Sequence, residues 1–581
     1  MLSLPGILLG SCEKWGDRPA QSRKLNRKFA SITYNQLRTD VHRAAAVLKS
    51  LGVKPGVTVA IFGESSPEWA TVDWAITSLG AISVPIFPTL MPDTVEYILR
   101  DSGAALCFVG DNRLMKKFDE AVNHGMLRVT PVVMEPNADA GFAKMIAQTG
   151  VGHFPMREWE EECHRRNPNE IAAIIYTSGT TGEPKGAELT HEAFGFQCAS
   201  IRKNLPVDST DRFLSFLPLS HVYERLGGHY FPISCGAEIA YAESLKTLAQ
   251  DLVLAKPTIV TAVPRFLEGV RAKLISAAKD APLLKRLIFF AAMNRGPSRL
   301  KNNMKVKGLF DQLLDGMVAV KIRARFGGRL RFLVSGGAAL PLDLAEFYAA
   351  FGVKILQGYG LTETAPVISI NHPDRNLSDS VGEVLEGVEV RVAGDGEILM
   401  RGPSRMVGYH CKPEETAAAI DAEGWFHTGD IGRLEGSRLW ITDRKKDIIV
   451  MSNGKNVAPA MIENRLKSSL YIDEAMVLGD GEDRISALIV PAFDALRHYC
   501  HNKSLEGSHV QEMIEHPDVA QLLKREVESA NKHLADYEKV KSYRLMSAPW
   551  TQETGELTPS LKVRRKLIKE KFAEEVRALR K

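Results

Sequence analysis

The stretch Tyr176-Thr-Ser-Gly-Thr-Thr-Gly-Glu-Pro-Lys-Gly186 constrains this chain more than any other. It follows Ile171-Ala-Ala-Ile-Ile-Tyr176, an apolar run with β-branched residues that reads as a buried strand. A strand that opens into a loop dense in hydroxyls and glycines has the chemistry of a phosphate cradle. Glycine lets the backbone approach an anion closely, exposed N–H groups point at it, and Ser178, Thr180 and Thr181 add donors. Lys185 adds a mobile positive charge. The order is not that of a Walker loop, because Pro184 stands where that pattern requires glycine. A surface turn is the commoner use of one Gly/Thr/Ser-rich loop, so other segments must agree before the loop is read as a site.

Strand-like and helical patterns alternate around it. Val57–Phe62 precedes a helical stretch from Pro67 to Leu79, and Ala105–Val109, Val129–Val133, Thr258–Ala262 and Leu330–Val334 continue the series. Such alternation predicts α/β layers with mostly parallel sheets. Past residue 380 the texture shifts to shorter strands, such as Val388–Val392 and Glu397–Met400, which predicts a small β-rich subdomain. A last unit beginning near Lys446 carries a strand pair, Ala475–Leu478 and Ile485–Val490, then a long charged helical region from Val519 to Tyr537. A chain of 581 residues is too long for one core.

The charge is nearly balanced, 74 basic against 70 acidic residues for a net of +4, and nothing in that total predicts nucleic-acid binding. Seven cysteines with no CxxC pair suit neither zinc nor a disulfide framework, and so predict a reducing compartment. Leu9-Gly-Ser-Cys12 looks like a lipoprotein cleavage site, but no Lys or Arg precedes its short apolar run, which Pro5 and Gly6 interrupt. An amphipathic helix closing on Trp15 is the expectation there. Asp73, Pro85 and Pro88 exclude a membrane span between Trp69 and Leu90.

Six further segments carry chemistry: Leu217-Pro-Leu-Ser-His-Val-Tyr-Glu-Arg225, Ser335-Gly-Gly-Ala338, Gln357-Gly-Tyr-Gly-Leu-Thr-Glu-Thr364, Gly424-Trp-Phe-His-Thr-Gly-Asp430, Ile441-Thr-Asp-Arg-Lys-Lys-Asp-Ile-Ile449 and Gly555–Arg565. With the loop, and in this order, they resemble the adenylate-forming superfamily of acyl-CoA synthetases, luciferases and adenylation domains. The nearest likeness is to bacterial long-chain fatty acid–CoA ligases. The forms Ser452-Asn-Gly-Lys-Asn-Val-Ala-Pro459 and Thr558-Pro-Ser-Leu-Lys562 look like the long-chain acyl branch.

The resemblance implies a large N-terminal AMP-binding domain, residues 1–445, of layered α/β subdomains plus the β-rich one. A smaller, mobile α+β C-terminal domain, 446–581, follows. It implies that Thr177, Ser178, Gly179, Thr180, Thr181, Gly182 and Lys185 grip the ATP phosphates, with Thr181 and Glu363 holding Mg2+. Gly336, Gly337 and Ala338 would face the purine, together with Gln357, Gly358, Tyr359 and Gly360, Tyr359 stacking on adenine. Thr362 would touch the α-phosphate, Asp430 the ribose hydroxyls and Arg444 the nucleotide. Lys446 would be the hinge, Lys562 the lysine that closes over the α-phosphate, and His221 would border the carboxylate pocket. Gly454 and Lys455 would contact coenzyme A.

Some long-chain relatives place a gating tryptophan four residues beyond the histidine. Arg225 stands there, and the gate is not carried over. The implied reaction makes a fatty acyl adenylate from ATP and passes the acyl group to coenzyme A. The alternatives are a fatty acyl-AMP ligase, an aryl-CoA ligase and a non-catalytic relative in fatty-acid uptake. A cytoplasmic location, peripheral contact with the inner face of the membrane and a homodimer are compatible with this reading; nucleic acid is not a partner.

Overall fold

The computed structural model describes residues 3–135, 141–148, 154–177, 183–305, 308–503, 505, 510–532, 534–558 and 562–580. The chain opens with the helix Leu4–Trp15, started by Ser3, whose hydroxyl accepts from the Gly6 N–H, and buried through Leu4, Leu8, Leu9 and Cys12. All seven cysteines are free thiols.

Two sheets organise the large domain. The first has six strands in the order Thr130–Val133, Leu106–Val109, Thr58–Phe62, Ile82–Ile86, Ile171–Thr177 and Lys185–Thr190. All neighbours are parallel except the last pair. The helix Pro67–Ser78 packs on this sheet and is buried from Trp69 to Ser78, on its polar positions as well as its apolar ones. Asp73 sits inside it at 0% exposure.

The second sheet has thirteen strands. Its parallel middle includes Arg212–Ser215, Ile259–Ala262, Phe332–Ser335 and Ile355–Gly360. From Ile355–Gly360 it continues antiparallel through Val367–Ile370, Gly382–Val384, Arg438–Arg444 and Phe426–Glu435. The β-rich region past residue 380 is therefore hydrogen-bonded into the main sheet as its far wing.

The C-terminal region has its own cores around a three-stranded sheet, Ile472–Leu478, Ile485–Pro491 and Val540–Leu545. The expected helix from Val519 to Tyr537 is corrected to Pro517–Asn531. Proline at its first position and the His516 side chain, which accepts from the Asp518 N–H, start it earlier. It ends at Asn531 because that side chain donates to the Val540 carbonyl and accepts from the Val540 N–H, turning the chain into a strand.

Contacts tie this region to the large domain. Arg265, on the helix Pro264–Lys279, pairs with Glu474 and with Asp473, the latter at 3.2 Å. His498 Nε2 lies 3.1 Å from Asp280, and the Ala460 N–H donates to Asp443 at 3.1 Å.

Candidate active site

The ladder between Phe426–Glu435 and Arg438–Arg444 pairs Asp430 directly with Arg444. Their side chains meet, Arg444 Nε to Asp430 Oδ1 at 3.1 Å. The other carboxylate oxygen accepts from the Tyr359 hydroxyl at 2.7 Å. Tyr359 reaches it from the strand Ile355–Gly360, so two predicted segments about seventy residues apart converge on one carboxylate. Gln357 and Gly358 lie on the same strand, and the Gln357 Oε1 is buried without a protein partner among the described residues. Gly360 admits no side chain: a Cβ there would come within 1.7 Å of the Pro366 carbonyl oxygen.

Thr362 and Glu363 sit in the single turn Thr362–Thr364 that follows. Glu363 Oε1 accepts from the Tyr409 hydroxyl at 2.8 Å, and the Lys185 ammonium lies 5.2 Å from the centre of the Tyr409 ring. Lys185 and Thr177 are direct partners at the open end of the antiparallel pair Ile171–Thr177 and Lys185–Thr190. Ser178, Gly179, Thr180, Thr181 and Gly182 lie outside the described residues. The segment Met406–His410 is strung from this pair to the Glu363 turn. His410 N–H donates to the Gly186 carbonyl at 2.7 Å and Met406 N–H to the Glu363 carbonyl at 2.8 Å. Tyr409 and this strap carried no signal in the sequence.

Lys562 arrives from the C-terminal domain. Its backbone is pinned by mutual bonds with Thr558, N–H to Oγ1 at 2.9 Å and Thr558 N–H to the Lys562 carbonyl at 2.8 Å. The side chain is exposed to solvent, with the charged groups of the large domain nearby. Loss of surrounding water and the nearby Arg444 guanidinium push its pKa down to about 8, with Lys446 adding to that effect and Asp430 and Glu363 opposing it. Lys562 therefore stands within electrostatic reach of four predicted residues, Glu363, Asp430, Arg444 and Lys446. Lys446, two residues past the last rung of the ladder, is itself lowered by desolvation and by Arg444.

His221 faces the same cleft. Burial, then the Lys562 charge, lower its pKa to about 4. The Tyr223 N–H donates to Nδ1 at 3.1 Å, so the neutral ring carries its proton on Nε2. Phe87 meets the ring edge-on at 6.1 Å. Tyr223 runs beneath the Gly336 turn, where a Cβ would come 3.0 Å from its ring, and its hydroxyl donates to the Val334 carbonyl at 2.8 Å. Gly337, at φ +78°, and Ala338 complete that turn.

Gly454 and Lys455 stand apart. They occupy the turn between Ile449–Val450 and Asn456–Val457, with Lys455 over the Tyr537 ring at 4.3 Å. No side-chain contact among the described residues joins them to the Lys562 cluster.

Arg225 is not a gate. It is 0% exposed and pairs with Asp73, also 0% exposed; its Nε donates to the Tyr230 hydroxyl at 3.0 Å. Asp73 accepts further from Tyr230 at 2.6 Å and Ser83 at 2.7 Å. Burial alone would raise the Asp73 pKa, but Arg225 and the hydrogen bonds override it and hold the carboxyl near 2. This network fixes the helix Val222–Arg225, capped by His221, to the helix Pro67–Ser78 on the six-stranded sheet. Beside it, Glu224 is fully buried and accepts from Ser215 at 2.6 Å and Thr261 at 2.5 Å; burial still pushes its pKa up to about 7.

Chemically, the cluster offers one carboxylate with an oxygen that has no hydrogen-bond partner among the described residues (Glu363), one carboxylate already oriented by a tyrosine and an arginine (Asp430), and several cations around a common space. Such a space favours a polyanion with a diol-bearing end. A magnesium ion fits Glu363, because Mg2+ is commonly held by one or two carboxylates and completed by phosphate and water oxygens.

Comparison with known proteins agrees with this geometry. The AMP-binding enzyme family matches residues 10–410, and the AMP-binding enzyme C-terminal domain matches residues 446–581. The chain is 33% identical to a long-chain-fatty-acid–CoA ligase of Mycobacterium bovis, over 96% of this chain and 93% of that protein. It is 30% identical to long-chain-fatty-acid–CoA ligase 5 of Mus musculus, over 96% of this chain and 85% of the relative. Among solved structures, ATP-bound MatB from Rhodopseudomonas palustris shares the fold at a TM-score of 0.72 and 20% identity, covering 98% of this chain and 99% of that one. With its clustered motifs and both matched regions, the chain belongs to the AMP-binding enzyme family.

Proposed function

We propose that the protein is a long-chain fatty acid–CoA ligase that works in two half-reactions. In the first, a carboxylate oxygen of the fatty acid attacks the α-phosphorus of ATP. The bond to the β-phosphate bridging oxygen breaks and pyrophosphate leaves. In the second, the thiolate of coenzyme A attacks the acyl carbonyl carbon, and AMP leaves. The thiol proton passes to solvent.

The observation that carries this reading is Lys562 among Glu363, Asp430, Arg444 and Lys446. An ammonium delivered by one domain into the carboxylate cluster of another suits charge that develops on an α-phosphate. Positioned charge of this kind is the main catalytic resource for reactions that need no covalent enzyme intermediate. Asp430 would hold the ribose, Tyr359 the adenine face, and Thr362 the α-phosphate. Lys185 and the segment 177–182 would grip the outer phosphates. Mg2+ on Glu363 and Thr181 would neutralise phosphate charge. His221 would line the acyl and thiol approach without acting as a firm base, since a thiol near neutral pH needs little help.

The domain arrangement described here suits the adenylating half-reaction. Rotation about Lys446 would withdraw Lys562 and bring Gly454 and Lys455 toward coenzyme A, a hinge-type switch. A cytoplasmic enzyme that meets its substrate at the inner face of the membrane completes the reading, because long-chain fatty acids partition there. Pyrophosphate release over fatty and aromatic acids, with and without coenzyme A, tests it. Turnover with long-chain acids that depends on coenzyme A is expected. No acid supporting such turnover would sink the reading, and preference for aromatic acids would favour an aryl-CoA ligase.

A further inference from the structure

The connection between the strands Ile259–Ala262 and Phe332–Ser335 is much longer than a parallel crossover requires, and its charge is unlike the rest of the chain. Residues 281–329 hold eleven Lys or Arg and two Asp, a net of +9 in a chain whose total is +4. The two aspartates are already matched: Asp311 with Arg295, and Asp315 with Arg299 and Arg323. Lys285, Arg286, Lys301, Lys305, Lys321 and Arg325 are exposed and enter no ion pair among the described residues.

The same segment exposes apolar side chains. The helix Leu283–Met293 buries Phe289 and Ala292 but leaves Leu283, Leu284 and Leu287 at 61%, 70% and 58% exposure. The helical run from Gly308 to Arg325 buries Leu314, Ala319 and Ile322 and turns out Leu309, Phe310 and Leu313 at 85%, 67% and 58%. Met317 and Val320 follow Leu313 at spacings of four and three, on the same side of the run. The two helical runs pack against each other. Eight of the twenty exposed large apolar residues among those described fall in this one connection. Clustering on that scale marks a contact surface.

We propose that this helical connection is a docking surface for an anionic lipid bilayer. Leucine and phenylalanine tips would enter the boundary between headgroups and acyl chains, and the flanking cations would pair with lipid phosphates. Nucleic acid would use the cations and leave the apolar tips in water, so the pairing of the two selects a bilayer. The choice of lipid as partner rests on the proposed function, whose substrate resides in the same phase.

Co-sedimentation of the full-length protein with vesicles tests the surface. Vesicles of phosphatidylcholine alone are compared with vesicles of phosphatidylcholine and phosphatidylglycerol. One variant carries Leu309→Ser, Phe310→Ser and Leu313→Ser; another carries Lys285→Glu, Arg286→Glu and Lys321→Glu. Unfolding midpoints check that both remain folded. The unaltered protein is expected to favour the anionic vesicles by at least about tenfold, and each variant to lose at least about tenfold of that binding. Absence of anionic-vesicle binding by the unaltered protein overturns the proposal, as does full binding by the serine variant. Oligonucleotide binding as tight as vesicle binding and indifferent to the serine changes replaces the bilayer with a polyanion. Vesicle binding without any CoA-dependent turnover would reject the ligase function and leave this surface standing.

Discussion

Arg225 and Lys562 are both cations set among other charged groups, and they are held in opposite ways. Arg225 is closed off from water and answered by one carboxylate, two hydroxyl partners of that carboxylate and several aromatic faces. Lys562 keeps its water on one side and has two other cations, Arg444 and Lys446, among its neighbours. A charge answered by a buried carboxylate of its own fold is part of the scaffold. A charge left under-compensated in a cleft is available to an incoming anion. Compensation and burial together separate support from chemistry here.

Five experiments press on that contrast. The largest effect is expected from Arg225→Met, which strands the Asp73 carboxylate in the core. Removing one member of a buried pair costs about 3–5 kcal/mol. Chemical denaturation should show that loss, and Arg225→Met with Asp73→Leu should regain much of it. A single variant as stable as the parent would place Arg225 outside the scaffold. Next is Lys562→Ala, with no loss of stability but a fall in adenylation of about 10²–10³-fold, the scale of removing one preorganised charge-stabilising donor. Thioester formation from supplied acyl adenylate should be largely retained; equal loss of both half-reactions contradicts a lysine that serves only the first.

Smaller again is Arg265→Ala. Its pairing with Asp473 and Glu474 holds the C-terminal domain where Lys562 meets the cluster. Adenylation should drop several-fold, while thioester formation from supplied adenylate holds or rises; an unchanged ratio of the two rates would count against this tie. The smallest effects are in pH. With its pKa at about 8, Lys562 should lose its proton as pH rises, so kcat/KM for adenylation should fall above about pH 8, and Lys562→Arg should move that fall upward. Asp73 works in the other direction. Its folded pKa near 2 lies below its unfolded value, so its stabilisation is complete above about pH 4 and is lost as pH falls toward 2. That contribution is about 2 kcal/mol, and Asp73→Asn should flatten stability across that acid window.

The same contrast explains what could be read in advance. Tyr359, Glu363, Asp430, Arg444 and Lys562 lie in short contiguous motifs, as the proposed site would require, because a ligand demands several neighbouring backbone and side-chain groups at once. The support does not. Asp73 and Arg225 are 152 positions apart, and nothing local in either segment announces the partner. Asp73 is visible in the sequence only as a break in an apolar run. Tyr409 is hidden for the same reason, since it reaches Glu363 from a strap with no composition of its own. The helical connection at 281–329 has the leucine spacing of a core-facing helix, and only the fold shows which of those leucines face water. Helix limits moved where capping decided them, as at Pro517 and Asn531. The β-rich wing was expected from strand length, but its continuity with the main sheet depends on pairing that strand length does not encode.

The rung between Asp430 and Arg444 is the last before the chain leaves the sheet, and Lys446 follows two residues later. On the proposed two-state mechanism, a pivot placed there would share an anchor with the Asp430–Arg444 pair, so a turn of the C-terminal domain would leave Asp430 held in the sheet while Lys562 moved away. Such a protein would change its cutting tool without loosening the vice that grips the work. An insertion of even one residue between Arg444 and Lys446 would displace the axle from the vice, and should uncouple the two half-reactions while leaving each domain intact.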